Sequence, residues 1–149
     1  HQFGGLYHTP HGLANAIVLP HVLEFSRPAI VDRLAKLAVR ARLGAEDESD
    51  KELAQKFIDA VWQLNRDLGI PEHLAALKEA DIPALAKAAC HEAHTGYPVP
   101  RYMTLAQCEK LIRKLLPPAA ATEKTAKSAA KAAPKAAAKA PRKPRKPAA

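Results

Sequence analysis

Apolar residues recur at three- and four-residue spacing along most of the first 116 positions, the period of a helix with one buried face. Ile30, Val31, Leu34, Leu37 and Ala38 form one such stripe, and Leu53, Phe57, Val61, Leu64 and Leu68 form another. Ile82, Leu85, Ala86 and Ala89 make a third, and Leu111, Ile112 and Leu115 a fourth. No convincing run of alternating β-branched residues interrupts them. The pattern predicts an all-α helical bundle.

Local signals set the expected boundaries. An apolar helix over residues 13–25 carries Pro20, which removes one backbone donor and should kink it. Ser26 is then expected to cap a new helix with Pro28 in its first turn, and Gly44 to close it. Ser49 followed three residues later by Glu52 is a capping box, in which each side chain satisfies the other's free backbone donor. Gly69, with Pro71 beyond it, should stop the helix that box starts. A short helix is expected over 72–78, and another from Asp81-Ile82-Pro83 to Gly96. Pro98 and Pro100 hold the next stretch extended. Thr104 and Gln107 form a second capping box, and Pro117-Pro118 end the last helix.

Charge divides the chain in two. Of its 23 Lys and Arg, nine lie from Pro117 onward, against the single acid Glu123. The remaining charges balance, so the body, residues 1–116, is formally neutral and the net +8 belongs to the tail, residues 117–149. That tail is low in complexity, Ala, Lys and Pro, and has no apolar surface to offset the entropy of ordering it, so it is expected to be disordered. Two cysteines, Cys90 and Cys108, form no dense framework, which points to a reducing compartment, hence the cytoplasm, and to thiols without a structural bridge. The apolar run over 13–25 is too short and too interrupted to span a bilayer, and lacks the flanks of a signal peptide, so no membrane partner is expected. The chain opens on His1 and its one methionine is Met103, from which a fragment or processed product is expected.

The candidate chemistry is concentrated at the front. Residues 1–12 hold three of the seven histidines and three of the six glycines, and run directly into the first buried helix. Imidazoles supply metal ligands or proton carriers, and glycines let backbone approach a bound group closely. His11, between Pro10 and Gly12 at a helix start, suits a metal ligand; it equally suits a helix-entry histidine bonded to backbone. His8 lies three residues earlier, but two histidines do not complete a zinc or iron site. His91 and His94 beside Cys90 sit one turn apart, for which exposed helix histidines are the commoner explanation. His21 is expected to be a hydrogen-bonded packing residue, Trp62 a core or interface residue, and Tyr97 and Tyr102 structural. No Ser-His-Asp arrangement and no P-loop are present.

The string HQFGGLYHTPHGLANAIVLPHVLEFSRPA resembles the region after the central helix of the iron-containing, NAD(P)-dependent alcohol dehydrogenases. ADIPALAKAA and GYPVPRYMTLAQCEKLIRKLL resemble the C-terminal end of the same family, so the likeness spans residues 1–116. The resemblance implies an all-helical metal-binding domain that follows a nucleotide-binding α/β domain. It implies hydride transfer between a small alcohol or aldehyde and NAD or NADP, assisted by Fe2+ or Zn2+ as Lewis acid. By position, His11 matches the last of four metal ligands, one Asp and three His. His1 matches a catalytic histidine that lines the site beside nicotinamide and substrate and helps move protons. The family pattern puts another ligating histidine four residues before position 1, and the remaining ligands and the glycine-rich cofactor loop earlier still. One ligand of four implies a chain inactive alone. Assembly of the helical halves into homo-oligomers is a further implication; no role is implied for His8.

The tail suggests a second class of function. Lys127, Lys131, Lys135, Lys139 and Lys143 recur every four residues, with Arg142, Arg145 and Lys146 among them. Such Ala/Lys/Pro arms resemble those of linker histones and bacterial histone-like proteins. They imply sequence-independent contact with DNA or another polyanion, with a salt slope of about −8 if all nine charges engage duplex phosphates. A solubilising tail is the alternative.

Overall fold

The computed structural model describes residues 1–118. The tail's predicted disorder and its candidate DNA-binding residues Lys127, Lys131, Lys135, Lys139, Arg142, Lys143, Arg145 and Lys146 lie outside them.

The local signals read best at helix α3, Asp50–Asp67. The Ser49 side chain accepts from the Glu52 backbone and the Glu52 carboxylate accepts from that of Ser49, closing the capping box. At the other end Gly69 adopts φ 66°, the left-handed conformation that only glycine enters without cost. The Ile70 and Gly69 amides then donate back to the carbonyls of Asn65 and Arg66, at 2.8 and 3.0 Å, a Schellman closure. Helix α5, Leu105–Arg113, starts from the second box, with Thr104 and Gln107 paired reciprocally. Helix α4, Ile82–Gly96, follows a 3-10 turn at Glu79–Asp81 and carries Pro83 in its first turn. Helix α1 is one short piece, Gln2–Tyr7, closed by His8 in the left-handed conformation, φ 53°.

Helix α2 departs from expectation. It spans His11–Arg40, through Pro20 and Pro28, with a kink at Ile30. Ser26 is therefore not a cap; it lies inside the helix, 4 % exposed. Pro20 leaves the carbonyl of Ala16 without its helical donor, and the Asn65 side chain of α3 donates to it instead at 2.7 Å. The bend comes ten residues later, at Ile30, whose φ −138° and ψ 25° lie outside the helical region. Just ahead of it the Phe25 carbonyl accepts from Arg101 at 2.7 Å, and that guanidinium lies 4.3 Å from the centre of the Phe25 ring. A kink whose exposed carbonyls find side-chain donors need not end the helix.

Three further expectations are corrected. The left-handed residue closing α2 is Arg42, φ 58°, and not Gly44. Gly44 serves the packing of the following loop, because a Cβ there would meet Leu53 Cδ2 at 2.5 Å. Residues 72–78 form turns and no helix; Leu74 and Leu77 are buried there, and the Leu74 amide donates to the Leu115 carbonyl at 2.8 Å. Of the second stripe, Leu53 is buried but Leu64 and Leu68 are 56 % and 67 % exposed; Ala54 and Ile58 complete the buried face instead. Leu37 of the first stripe is likewise exposed.

Among the described residues there are helices and no strands, so the all-α expectation holds. The second half of α2 packs on α3 through Ile30, Leu34, Ala35, Ala38, Leu53, Ala54 and Ile58. Its first half packs on α4, α5 and the 72–78 turns through Ile17, Leu74, Leu77, Ile82, Leu85, Cys108, Ile112 and Leu115. No described helix is long and apolar enough to cross a membrane.

Candidate functional site

The two front histidines come together. Helix α1 places His1 at its start, and the Thr9-Pro10 link brings the chain back so that α2 begins at His11. The His1 and His11 rings stack, 4.9 Å between centroids and 6° from parallel. Both residues are exposed on the described surface. The Asn15 amide, one turn along α2, lies 3.0 Å from His11 Nε2. Imidazole nitrogens of this kind are common metal ligands. Among the described residues the His11 ring contacts the Asn15 side chain and not a backbone group. A Cβ at Gly5 or Gly12 would meet open space, whereas one at Gly4 would lie 3.5 Å from the Thr9 carbonyl oxygen.

Helix α4 contributes the charge. The Glu92 carboxylate accepts from His1 Nδ1, from Gln2 Nε2 at 3.1 Å and from the Tyr97 hydroxyl at 3.4 Å. Burial first, then the charge of Glu92, push the Tyr97 phenol above its ordinary pKa. Sequence reasoning missed Glu92 and dwelt on its neighbours. The signal was there: the buried stripe Ile82, Leu85, Ala86 and Ala89, continued by one turn, reaches Glu92 and Ala93. Of those neighbours, His91 is exposed and His94 packs its ring edge-on against Tyr102, 4.9 Å apart at 86°.

Beside the histidines a cavity of about 300 Å³ opens between α2, α4 and α5. Exposed His1, His94, Tyr97 and Arg101 stand at its rim; buried Leu85, Cys108, Ile112 and Leu115 lie at its floor. Burial and then neighbouring Cys90 push the Cys108 thiol up to about 12, so it stays protonated and packs as an apolar group. Both cysteines are free thiols, as expected. Tyr7 ties α1 to the start of α4, its hydroxyl donating to Asp81 at 2.6 Å and accepting from the Lys78 amide at 3.3 Å. His21 packs edge-on against Trp62, 4.8 Å apart, but its Nδ1 is buried with no hydrogen-bond partner, contrary to expectation. The Trp62 indole donates to Glu24 at 3.1 Å.

The described residues contain no group of three or more His, Cys, Asp or Glu that could hold a metal ion. The described residues form an all-α unit with two stacked, exposed imidazoles beside an apolar cavity.

The comparisons name the family. Residues 1–116 match the model of the Fe-containing alcohol dehydrogenase family, C-terminal, and the chain belongs to that family. It is 41 % identical over 98 residues to lactaldehyde reductase of Escherichia coli, covering 64 % of this chain and 26 % of that protein. To alcohol dehydrogenase 4 of Saccharomyces cerevisiae it is 40 % identical over 119 residues, 76 % of this chain and 29 % of that one. The crystal structure of a 1,3-propanediol oxidoreductase superposes with a TM-score of 0.71 at 34 % identity, covering 78 % of this chain and 31 % of that chain. The chain thus spans under a third of the length of these relatives.

Proposed function

We propose that residues 1–116 form the helical part of a metal-dependent alcohol dehydrogenase, in which His11 is a metal ligand and His1 a catalytic histidine beside it. The observation that carries this reading is the stacked pair of exposed rings, His1 and His11, with His11 Nε2 3.0 Å from the Asn15 amide. That nitrogen fits a divalent ion such as Fe2+ or Zn2+: imidazole is a ligand of both, and the amide beside it belongs to the exposed Asn15. When bound, such an ion supplies a Lewis acid, and NAD or NADP an acceptor for hydride from a small alcohol. The chain's own residues do the rest. His1, beside His11, takes up or releases a proton at its ring, and the neighbouring cavity receives the apolar part of the alcohol or aldehyde and excludes water from it. The remaining ligands lie in the family pattern ahead of position 1, and the nucleotide site in a nucleotide-binding domain, so residues 1–116 alone turn over no substrate.

A hybrid tests this. Residues 1–116 replace the matching C-terminal segment of the Escherichia coli lactaldehyde reductase. The hybrid should reduce NAD or NADP with a small alcohol, only when loaded with a divalent metal, and His1→Ala should lower kcat. Metal-independent turnover, or full activity in His1→Ala, would contradict the reading.

A further inference from the structure

The cavity beside His1 has walls of hydrocarbon and sulfur. Val18 and Val22 come from α2, Ala89 from α4, and Val99 and Met103 from the loop over 97–103, above a floor of buried leucine, isoleucine and cysteine. Ser26 is the one buried polar residue among those that line it. A single hydroxyl does not hold water, which needs about two to four polar partners, so the space suits an apolar occupant. Its outer wall is fixed from within the chain. Pro98 and Pro100 restrict the backbone of the loop, and Arg101 ties that loop to α2 through the Phe25 carbonyl and ring. A space shaped in advance costs little reorganisation to fill.

Size sets what fills it. A dry apolar cavity of roughly 150 Å³ takes one benzene ring, which is about 25 Å³ for each carbon. The volume here is about 300 Å³. A chain of about three carbons would fill roughly a quarter of that and leave the rest empty. We infer that the cavity takes a hydrocarbon tail of about six to ten carbons, so that the alcohol or aldehyde handled beside His1 is a medium-chain one. His1 stands at the rim, which leaves the hydroxyl or carbonyl end outside and the tail within. The inference rests on the proposed function for the chemistry at His1, and on the cavity alone for the tail it holds.

The test uses the metal-free 149-residue chain, whose one methionine, Met103, lines the cavity and gives a single methyl signal when labelled with carbon-13. Straight-chain primary alcohols from ethanol to decanol should shift that signal saturably. Affinity should rise about fourfold for each added methylene and level off at roughly eight to ten carbons. Ala89→Leu, which fills part of the space from α4, should weaken octanol binding about tenfold and leave propanol within about twofold. Val22→Phe fills it from α2 and carries the same expectation where Ala89→Leu does not fold. In the hybrid enzyme, kcat/KM should climb from propanol to octanol, and Ala89→Leu should move the optimum to shorter chains. A Met103 signal that no alcohol shifts, or a response independent of chain length, overturns the inference. So does octanol affinity unchanged in the folded variants. An active hybrid that prefers propanol to octanol also overturns it and leaves the proposed function standing. A hybrid inactive on every alcohol fails the proposed function instead, and the binding series then decides by itself what the cavity holds.

Discussion

Ahead of Ile30, helix α2 begins at His11, passes beside a cavity of about 300 Å³ and meets four different elements. Beyond Ile30 the same helix packs on α3 alone, with Ala35 2 % exposed and Ala38 and Ala54 fully buried at the join. Small side chains at that join let the two helices approach closely, and nothing there is polar enough to do chemistry. The front half is built the other way. Its apolar floor is closed, but its rim holds His1, Glu92, His94, Tyr97 and Arg101, and leaves space between helices unfilled. A close-packed pair therefore anchors a helix whose other end borders unfilled space. Interiors packed at crystal density tolerate no added volume, whereas a cavity does.

The sharpest way to break that comparison is one substitution made on both sides. Ala54→Leu forces three extra carbons into the α2–α3 join and should cost about 1–3 kcal/mol in denaturant unfolding. Ala89→Leu points the same carbons into the cavity and should cost much less. Equal losses would show that the cavity is not open space in solution. Next comes Asn65→Ala, which removes the donor to the Ala16 carbonyl freed by Pro20 and should lower stability by about 1–2 kcal/mol. An unchanged unfolding midpoint would mean that water replaces that donor at no cost.

The smallest effect is in pH. Burial first, and then the charge of Lys114, hold the folded His21 ring below its ordinary pKa of 6.5, with Glu24 opposing. The unfolded ring takes up a proton near 6.5 while the folded one resists. Its contribution is therefore complete above that pH and is lost as pH falls toward the lowered folded value. Thermal unfolding between about pH 7.5 and 5.5 should show a shallower acid loss in His21→Phe than in the unsubstituted chain. Equal slopes would place the acid sensitivity elsewhere.

What could be read in the sequence was whatever the chain settles within a few residues. Both capping boxes and Gly69 are local devices, and each stands where the residues put it. The likeness of residues 1–116 to the iron-containing alcohol dehydrogenases was legible for the same reason, as a continuous string, and the family match bears it out. What was lost depended on partners far along the chain. Pro20 fails to break α2 because Asn65 takes over the orphaned Ala16 carbonyl, 49 residues back along the chain. Gly44 looked like a helix stop, but its missing side chain makes room for Leu53. Glu92 stood between two histidines: the α4 stripe reaches it, but nothing local says that its acid will meet the first residue of the chain.

The central claim is that His11 binds the metal and His1 does not, and metal content of the hybrid enzyme measures this most directly. With residues 1–116 intact the purified hybrid should carry one divalent ion per chain. His11→Ala should abolish that ion, and His1→Ala should retain it while losing turnover. Full metal content in His11→Ala would contradict the account.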